Sequence, residues 1–309
     1  ATPDGILNLM FVCAHPTIDA AMRTPLMLQL VLGLDARRMA RAFLIAPGTL
    51  GQRLTRARAK IEVARIRFAL PDSADMADRL DPVLAAIYAA YTVGADGQMA
   101  GDAKSSELAR EAIWLASLLA SRMPGEPEAQ ALLALMLYAE ARRSARLDVQ
   151  GRFVPLERQD VALWDESLMR DADLAMRVAA RNATLGRYQI EAAIQAAHAD
   201  RRRGRPTDWR AIAHLYRGLV ALHPTTGAIT GLAAALGEAE GAAAGLATLE
   251  TIDPARAESY QPLWAVRAHL LRCAGDRHGA AAAYDRAIAL SPDHAVRLFL
   301  DSRRQGMGP

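Results

Sequence analysis

Apolar positions recur at helical spacing along almost the whole chain. Residues 5–14 (GILNLMFVCA) and 24–33 (TPLMLQLVLG) predict two short apolar helices, broken at His15-Pro16. Residues 35–43 (DARRMARAF) predict a short amphipathic helix, which Asp35 can cap and in which Met39, Ala40 and Phe43 share a face. A turn follows at Leu44-Ile45-Ala46. Pro47 then suits the first turn of a new helix, where its missing N–H is not needed. That helix is expected to run to about residue 65, with Leu50, Leu54, Ala57 and Ile61 as its inner stripe. Gln52, Arg53, Arg56, Arg58 and Lys60 are left to project outward.

Pro71-Asp72-Ser73 reads as a linker. Residues 80–93, 105–122 and 127–143 follow as apolar-periodic helices, with breaks at Gly94–Gly101 and Pro124–Pro127. Asp148-Val149-Gln150-Gly151 is a turn signal, and residues 158–182 return to helix. From about residue 184, helical blocks alternate with Gly or Pro punctuation, and Pro224, Pro254 and Pro292 each close a block. Their spacings, 30 and 38 residues, average to the 34-residue period of tetratricopeptide helix pairs. In the last unit Trp264, Ala268 and Leu271 mark a first helix, and Ala280, Tyr284 and Ala287 a second. Small residues there let two helices approach closely. Tyr216 precedes Pro224 as Tyr284 precedes Pro292, and three repeats are expected. The fold class is all-α: a helix-turn-helix domain followed by a helical extension ending in tetratricopeptide-like helix pairs. The expected segments are 1–70 (helix-turn-helix), 71–183 (helical middle) and 184–309 (repeats).

Composition supports helix over sheet, since 52% of residues are apolar but only 5% aromatic, with Ala, Leu and Arg abundant. No apolar run is long enough to predict a membrane span. The opening residues show no signal-peptide pattern, so a cytoplasmic protein is expected. The two cysteines, Cys13 and Cys273, form no metal-binding spacing and read as small buried residues. The net charge of +3 is unevenly placed. Residues 1–70 hold ten Arg/Lys against four Asp/Glu, a net of +6, so the remainder carries −3. Basicity confined to one short segment is an electrostatic footprint for a polyanion.

The segment 34–61 (LDARRMARAFLIAPGTLGQRLTRARAKI) brings these signals together. Two short helices joined by a tight turn need a small residue where they cross, here Ala40. They also need apolar residues at fixed offsets, here Met39, Phe43, Ile45, Leu50 and Leu54. The second helix of such a unit lies in the major groove and presents its N-terminal residues to base edges. Gly48-Thr49-Leu50 and Arg53-Leu54-Thr55-Arg56-Ala57-Arg58-Ala59-Lys60 resemble region 4 of bacterial RNA polymerase sigma factors of the extracytoplasmic-function (ECF) type. The resemblance extends to LMFVCAHPTIDAAMR and to EAIWLASLL, PGEPEAQALLALMLYAEARRSAR and QDVALWDESL. These stretches are similar to a subgroup with a long helical, tetratricopeptide-like extension. Leu44, where many turns have Gly, and Gly51, where many sigma factors have Lys or Arg, depart from the pattern.

The resemblance implies transcription initiation. Region 4 would grip the promoter −35 element and dock on core RNA polymerase through its β flap. The preceding region 2, which melts the −10 element, is expected to be missing from this chain. Thr49, Gln52, Arg53 and Arg56 are the candidate base or phosphate contacts, with Arg58 and Lys60 on phosphates. Arg37, Arg38 and Arg41 on the preceding helix are candidates for the adjacent backbone. The opposite charges of +6 and −3 lead to an expected intramolecular contact between region 4 and the extension. The repeats are also expected to suit a protein or peptide ligand. The competing reading is a tetratricopeptide-type scaffold whose helix-turn-helix docks protein.

Nothing else in the sequence reaches a site, and no enzyme, cofactor or metal is expected. His15, His198, His214, His223, His269, His278 and His294 form no ligand set. Asp81, Glu107 and Glu111 lack a nucleophile or phosphate loop. The 237–245 stretch GEAEGAAAG lacks the strand a dinucleotide fingerprint requires, and reads as helix packing. Arg201-Arg202-Arg203-Gly204-Arg205 reads as a solvated helix end, with nucleic acid or an acidic partner as the alternative. Trp114 and Trp164 are expected in apolar helices of the core.

Overall fold

The computed structural model describes residues 2–37, 39, 45–64, 66, 68, 71, 73–99, 103–181 and 185–306. Among them the chain is all-α, and its extended pairing is an isolated antiparallel bridge between Leu147 and Phe153. That bridge closes the expected turn: Gly151 takes a φ of 72°, and its N–H donates to the Asp148 carbonyl at 2.9 Å. Contacts divide the chain into two compact units, residues 1–136 and 137–309.

The first unit starts with α1 (Pro3–Cys13) and α2 (Ala20–Leu32). His15-Pro16 separates them as expected, and Asp19 caps α2 by accepting from the Ala21 N–H at 3.1 Å. Gly33 ends α2 with a left-handed φ of 64°, and the Leu34 N–H then reaches back to the Leu28 carbonyl. This is a glycine-terminated helix end, with the following Leu34 buried. Helix α3 (Pro47–Val63) packs on α2. Helix α4 (Ser73–Met99) packs on α1, α2 and α5 (Ala103–Arg122), and α6 (Pro127–Ala141) follows.

Two expectations fail here for one physical reason. Gly94 does not break a helix, because α4 runs on to Met99. A Cβ at Gly94 would stand 2.5 Å from the Ala109 amide nitrogen and 2.8 Å from the Ser105 carbonyl. The glycine is where α4 and α5 cross backbone to backbone. Trp114, expected in the core, is 42% exposed on α5. The crossing is close because it is lined by small residues, and the buried Ala109, Ala112 and Ala116 leave the large ring on the outside.

The second unit stacks α7 (Glu166–Ala179), α8 (Arg187–Ala199), α9 (Trp209–Leu222), α10 (Thr226–Ala239) and α11 (Ala242–Leu249). The short α12 (Pro254–Ala257), then α13 (Gln261–Cys273), α14 (Arg277–Leu290) and α15 (His294–Gln305), complete it. Each long helix packs mainly on its neighbours in the chain. The buried side chains accordingly form successive clusters. Ile190, Ile212 and Leu232 lie in one, Leu249, Leu263 and Leu270 in the next, and Ala268, Tyr284 and Leu300 in the last. Such nearest-neighbour packing makes stability roughly a sum of local interfaces. Gly245 serves it directly, since a Cβ there would sit 2.6 Å from the Ala233 carbonyl and 2.8 Å from Leu270. Pro224 and Pro292 each follow a helix end, but Pro254 opens α12 at its first turn, with Asp253 as the cap.

The arginine run ends the 3-10 turn Asp200–Arg203 that follows α8, with Arg203 and Arg205 exposed and Arg201 and Arg202 partly buried. Arg202 and Arg203 both pair with Asp173 on α7, and Arg203 and Arg205 with Asp200. The Tyr138 hydroxyl donates to the same Asp173 at 2.6 Å. Trp164 is buried as expected, but just beyond the short 3-10 turn Val161–Leu163, not within an α-helix. Cys13 is buried, which pushes its thiol up to about 12, whereas Cys273 is exposed.

His198, at the end of α8, is 8% exposed and held down to about 4, first by burial and then by Arg142 and Arg201. The unfolded chain takes up this proton near 6.5 and the folded chain only near 4. Between those values the unfolded state binds more protons, so stability falls as pH drops through this window and levels off below it. The urea midpoint should decline over this interval, and His198→Phe, which keeps a ring against Trp209, should flatten the decline.

Candidate nucleic-acid interface

Helix α3 is built as its sequence dictates. Pro47 occupies the first turn, and Leu50, Leu54 and Ala57 are buried, at 0%, 1% and 5% exposure. Burying each leucine stabilises the unit by about 1.5–3 kcal/mol and fixes the roll of the helix. Ile61 is half-buried on the same stripe.

Thr49, Gln52, Arg53, Arg56, Arg58 and Lys60 are all exposed. At about 100° per residue they are not equivalent. Gln52 points directly away from the buried stripe, with Thr49 and Arg56 beside it. Arg53 and Lys60 lie along one edge of this face, and Arg58 alone lies on the other. Arg37 is exposed, whereas Arg38, Arg41 and the turn at Leu44 fall outside the described residues.

Several arginines on other helices pair with carboxylates: Arg79 with Asp75, Arg122 with Asp4, Arg217 with Glu240, Arg267 with Glu250, Arg304 with Asp285. On α3, Arg53, Arg56, Arg58 and Lys60 make no ion pair or side-chain hydrogen bond among the described residues. Glu62 is the helix's lone acid. Four cations on 17 residues thus face solvent with no counter-charge among the described residues.

Two features of α3 escaped the sequence reading. Ala46 stands at the N-cap and no described side chain caps the helix, so the Gly48 and Thr49 amides remain open donors at its positive end. The signal was present as a non-capping residue before Pro47 with no acid in the first turn. A Cβ at Gly48 or Gly51 would meet nothing within 4 Å, so packing does not require glycine at the position departing from the sigma-factor pattern. Nothing comparable accompanies the other candidates. Asp81, Glu107 and Glu111 are exposed, and no cluster of three or more metal-ligating side chains occurs among the described residues. Among those residues no helix is long and apolar enough to cross a membrane.

Fold and site together define an all-α protein with an exposed basic helix that finds no counter-charge among the described residues. Residues 79–180 match the model of a family of unknown function (DUF6596), and α3 lies outside that match. Uncharacterized protein R00370 of Rhizobium meliloti (strain 1021) is 38% identical over 302 residues, which cover 96% of this chain and 71% of that protein. The chain belongs to the family of that Rhizobium protein. No solved structure matches it.

Proposed function

We propose that the chain works in transcription initiation as an ECF-type sigma factor piece, with α3 reading the promoter −35 element from the major groove. The observation that carries this is the set of four α3 cations that find no intramolecular partner among the described residues, on a helix whose opposite face is locked by Leu50, Leu54 and Ala57. Gln52, Thr49 and Arg56 sit where base edges would be read. Arg53 with Lys60 on one edge, and Arg58 on the other, would touch the phosphates of the two strands bordering the groove. The same domain would dock on the β flap of core RNA polymerase. The helical extension would regulate it, by contact with the basic domain or by holding a protein or peptide. The role is not enzymatic, and it places the chain in the cytoplasm.

The test is fluorescence anisotropy of the full chain with promoter duplexes across a salt series. For about four neutralised phosphates the log–log slope should be roughly −3 to −4, with scrambled −35 duplexes bound more weakly. A flat salt response would overturn this reading and favour a scaffold that uses α3 to dock protein.

A further inference from the structure

The hairpin at residues 146–154 breaks the neighbour-on-neighbour pattern of the second unit. The long helices there pack mainly on their neighbours in the chain. The hairpin precedes α7, yet Phe153 meets Phe299 on α15, the last helix of the unit. The two rings lie edge to face, with centres 5.4 Å apart. Phe299 packs partly on the cluster of Ala268, Tyr284 and Leu300, and the Arg303 guanidinium stands 5.9 Å from its ring centre. Phe153 and Phe299 are both half-buried.

The hairpin supplies its own hydrogen bonds. The Asp148 N–H donates to the Arg152 carbonyl, the Gly151 N–H to the Asp148 carbonyl and the Val154 N–H to the Arg146 carbonyl, each at 2.9 Å. The Asp148 carboxylate accepts from the Gln150 and Arg152 amides, each at 2.9 Å, and from Arg152 Nε at 2.7 Å. None of these bonds reaches α15, so lifting the hairpin off that helix breaks none of them. Val149 at the tip is 96% exposed. The segment that follows is anchored elsewhere. Arg201, just beyond α8, donates through Nη1 to the Leu156 carbonyl at 2.5 Å and through Nη2 to the Gln159 carbonyl at 3.1 Å. Gln159 Nε2 donates to the Val154 carbonyl at 3.3 Å, and the Asp165 N–H to the Ala141 carbonyl at 2.9 Å. Pro155, with its ring-fixed φ of −62°, joins the docked hairpin to the anchored turn. One part is thus tied down by hydrogen bonds, and the other rests on α15 through an aromatic contact.

We propose that residues 146–154 form a hinged flap over an aromatic seat on α15, filled in cis by Phe153 and open to a partner protein segment that presents an aromatic side chain. A ring is the match because the seat already holds one edge to face, a pairing that counts beyond the area it covers. That pairing shifts an equilibrium by roughly two- to tenfold, so the open flap is a minor state that a partner can select. The flap is independent of what α3 binds.

The experiment is amide hydrogen exchange of the full chain, read by mass spectrometry on fragments covering residues 146–154 and α15. Phe153→Ala should speed exchange in α15 about three- to tenfold, because the last helix of a stack opens locally and the flap holds it down. Exchange within the hairpin should keep the parent rate, since its acceptors are its own. Phe153→Tyr retains the ring and should match the parent. Phe153→Leu keeps apolar bulk without a ring, should still exchange faster than the parent, and serves if the alanine variant does not fold. A synthetic peptide of residues 145–156, added to the Phe153→Ala chain, should restore α15 protection saturably. The same peptide with alanine in place of its phenylalanine should not. Parent α15 rates in both Phe153→Ala and Phe153→Leu would mean that the contact holds nothing. Hairpin rates that rise with those of α15 would mean that the flap is not self-contained. A peptide that restores no protection, or restores it without its ring, would mean that the seat takes no aromatic side chain in trans. Each of these three results overturns the proposal.

Discussion

Gly94→Ala is expected to lower the melting temperature, although helix propensity alone predicts the opposite. In the interior of an exposed helix, alanine for glycine stabilises by about 1 kcal/mol. Here the added Cβ would meet the Ala109 amide nitrogen at 2.5 Å, the Ser105 carbonyl at 2.8 Å and the Ala109 Cα at 2.9 Å. All three are backbone atoms, so no side chain can swing aside. Helices α4 and α5 would have to separate, opening the layer that buries Leu84, Ile87, Ala112 and Leu115. Overpacking of this kind costs about 1–3 kcal/mol and outweighs the propensity gain. Thermal denaturation followed by circular dichroism decides it. A variant that melts at or above the parent temperature would mean that the crossing is looser than the geometry indicates.

The same glycine shows why part of the fold was not legible in the sequence. A glycine inside a helical pattern signals either a break or a close crossing, and the two differ only in what lies opposite. Ala109 is remote in sequence, so the choice depends on tertiary structure. Trp114 fails likewise: its spacing suits a core position, but a crossing lined by alanines has no room for an indole. The pairing of Arg202 and Arg203 was not readable because Asp173 lies about thirty residues away. By contrast α3 was legible nearly to the residue, because it depends on local signals. Pro47 sets the start, Leu50, Leu54 and Ala57 recur at helical spacing, and the basic residues fill what is left. The turn at 147–153 was legible for the same reason, as were the alanines and Tyr284 of the last helix pair. The same spacing gives the inequality of the α3 cations, with Arg58 apart from Arg53 and Lys60; what it could not supply is that no acid among the described residues answers them.

That inequality shapes the prediction with the largest effect on binding. Arg53→Ala combined with Arg56→Ala should reduce promoter-DNA affinity on the order of a hundredfold at moderate salt, combining one lost base contact and one lost phosphate contact. Both side chains are exposed and find no intramolecular partner among the described residues, so the melting temperature should barely move. This separates a lost contact from a lost fold. The single variants should divide the effect. Arg56→Ala, central on the face, should narrow the gap between −35 and scrambled duplexes. Arg58→Ala, at the far edge, should weaken all duplexes alike and make the salt slope shallower by about 1. Anisotropy titrations at three salt concentrations read affinity, specificity and slope together. A double variant with parent affinity and parent slope would remove α3 from the DNA interface. The unneutralised cations would then need another polyanion, or an acidic protein surface, to account for them. If instead Arg56 changes specificity and Arg58 only the slope, the two edges of α3 border the two strands of one groove. That would fix the roll of the helix in the groove from solution data alone.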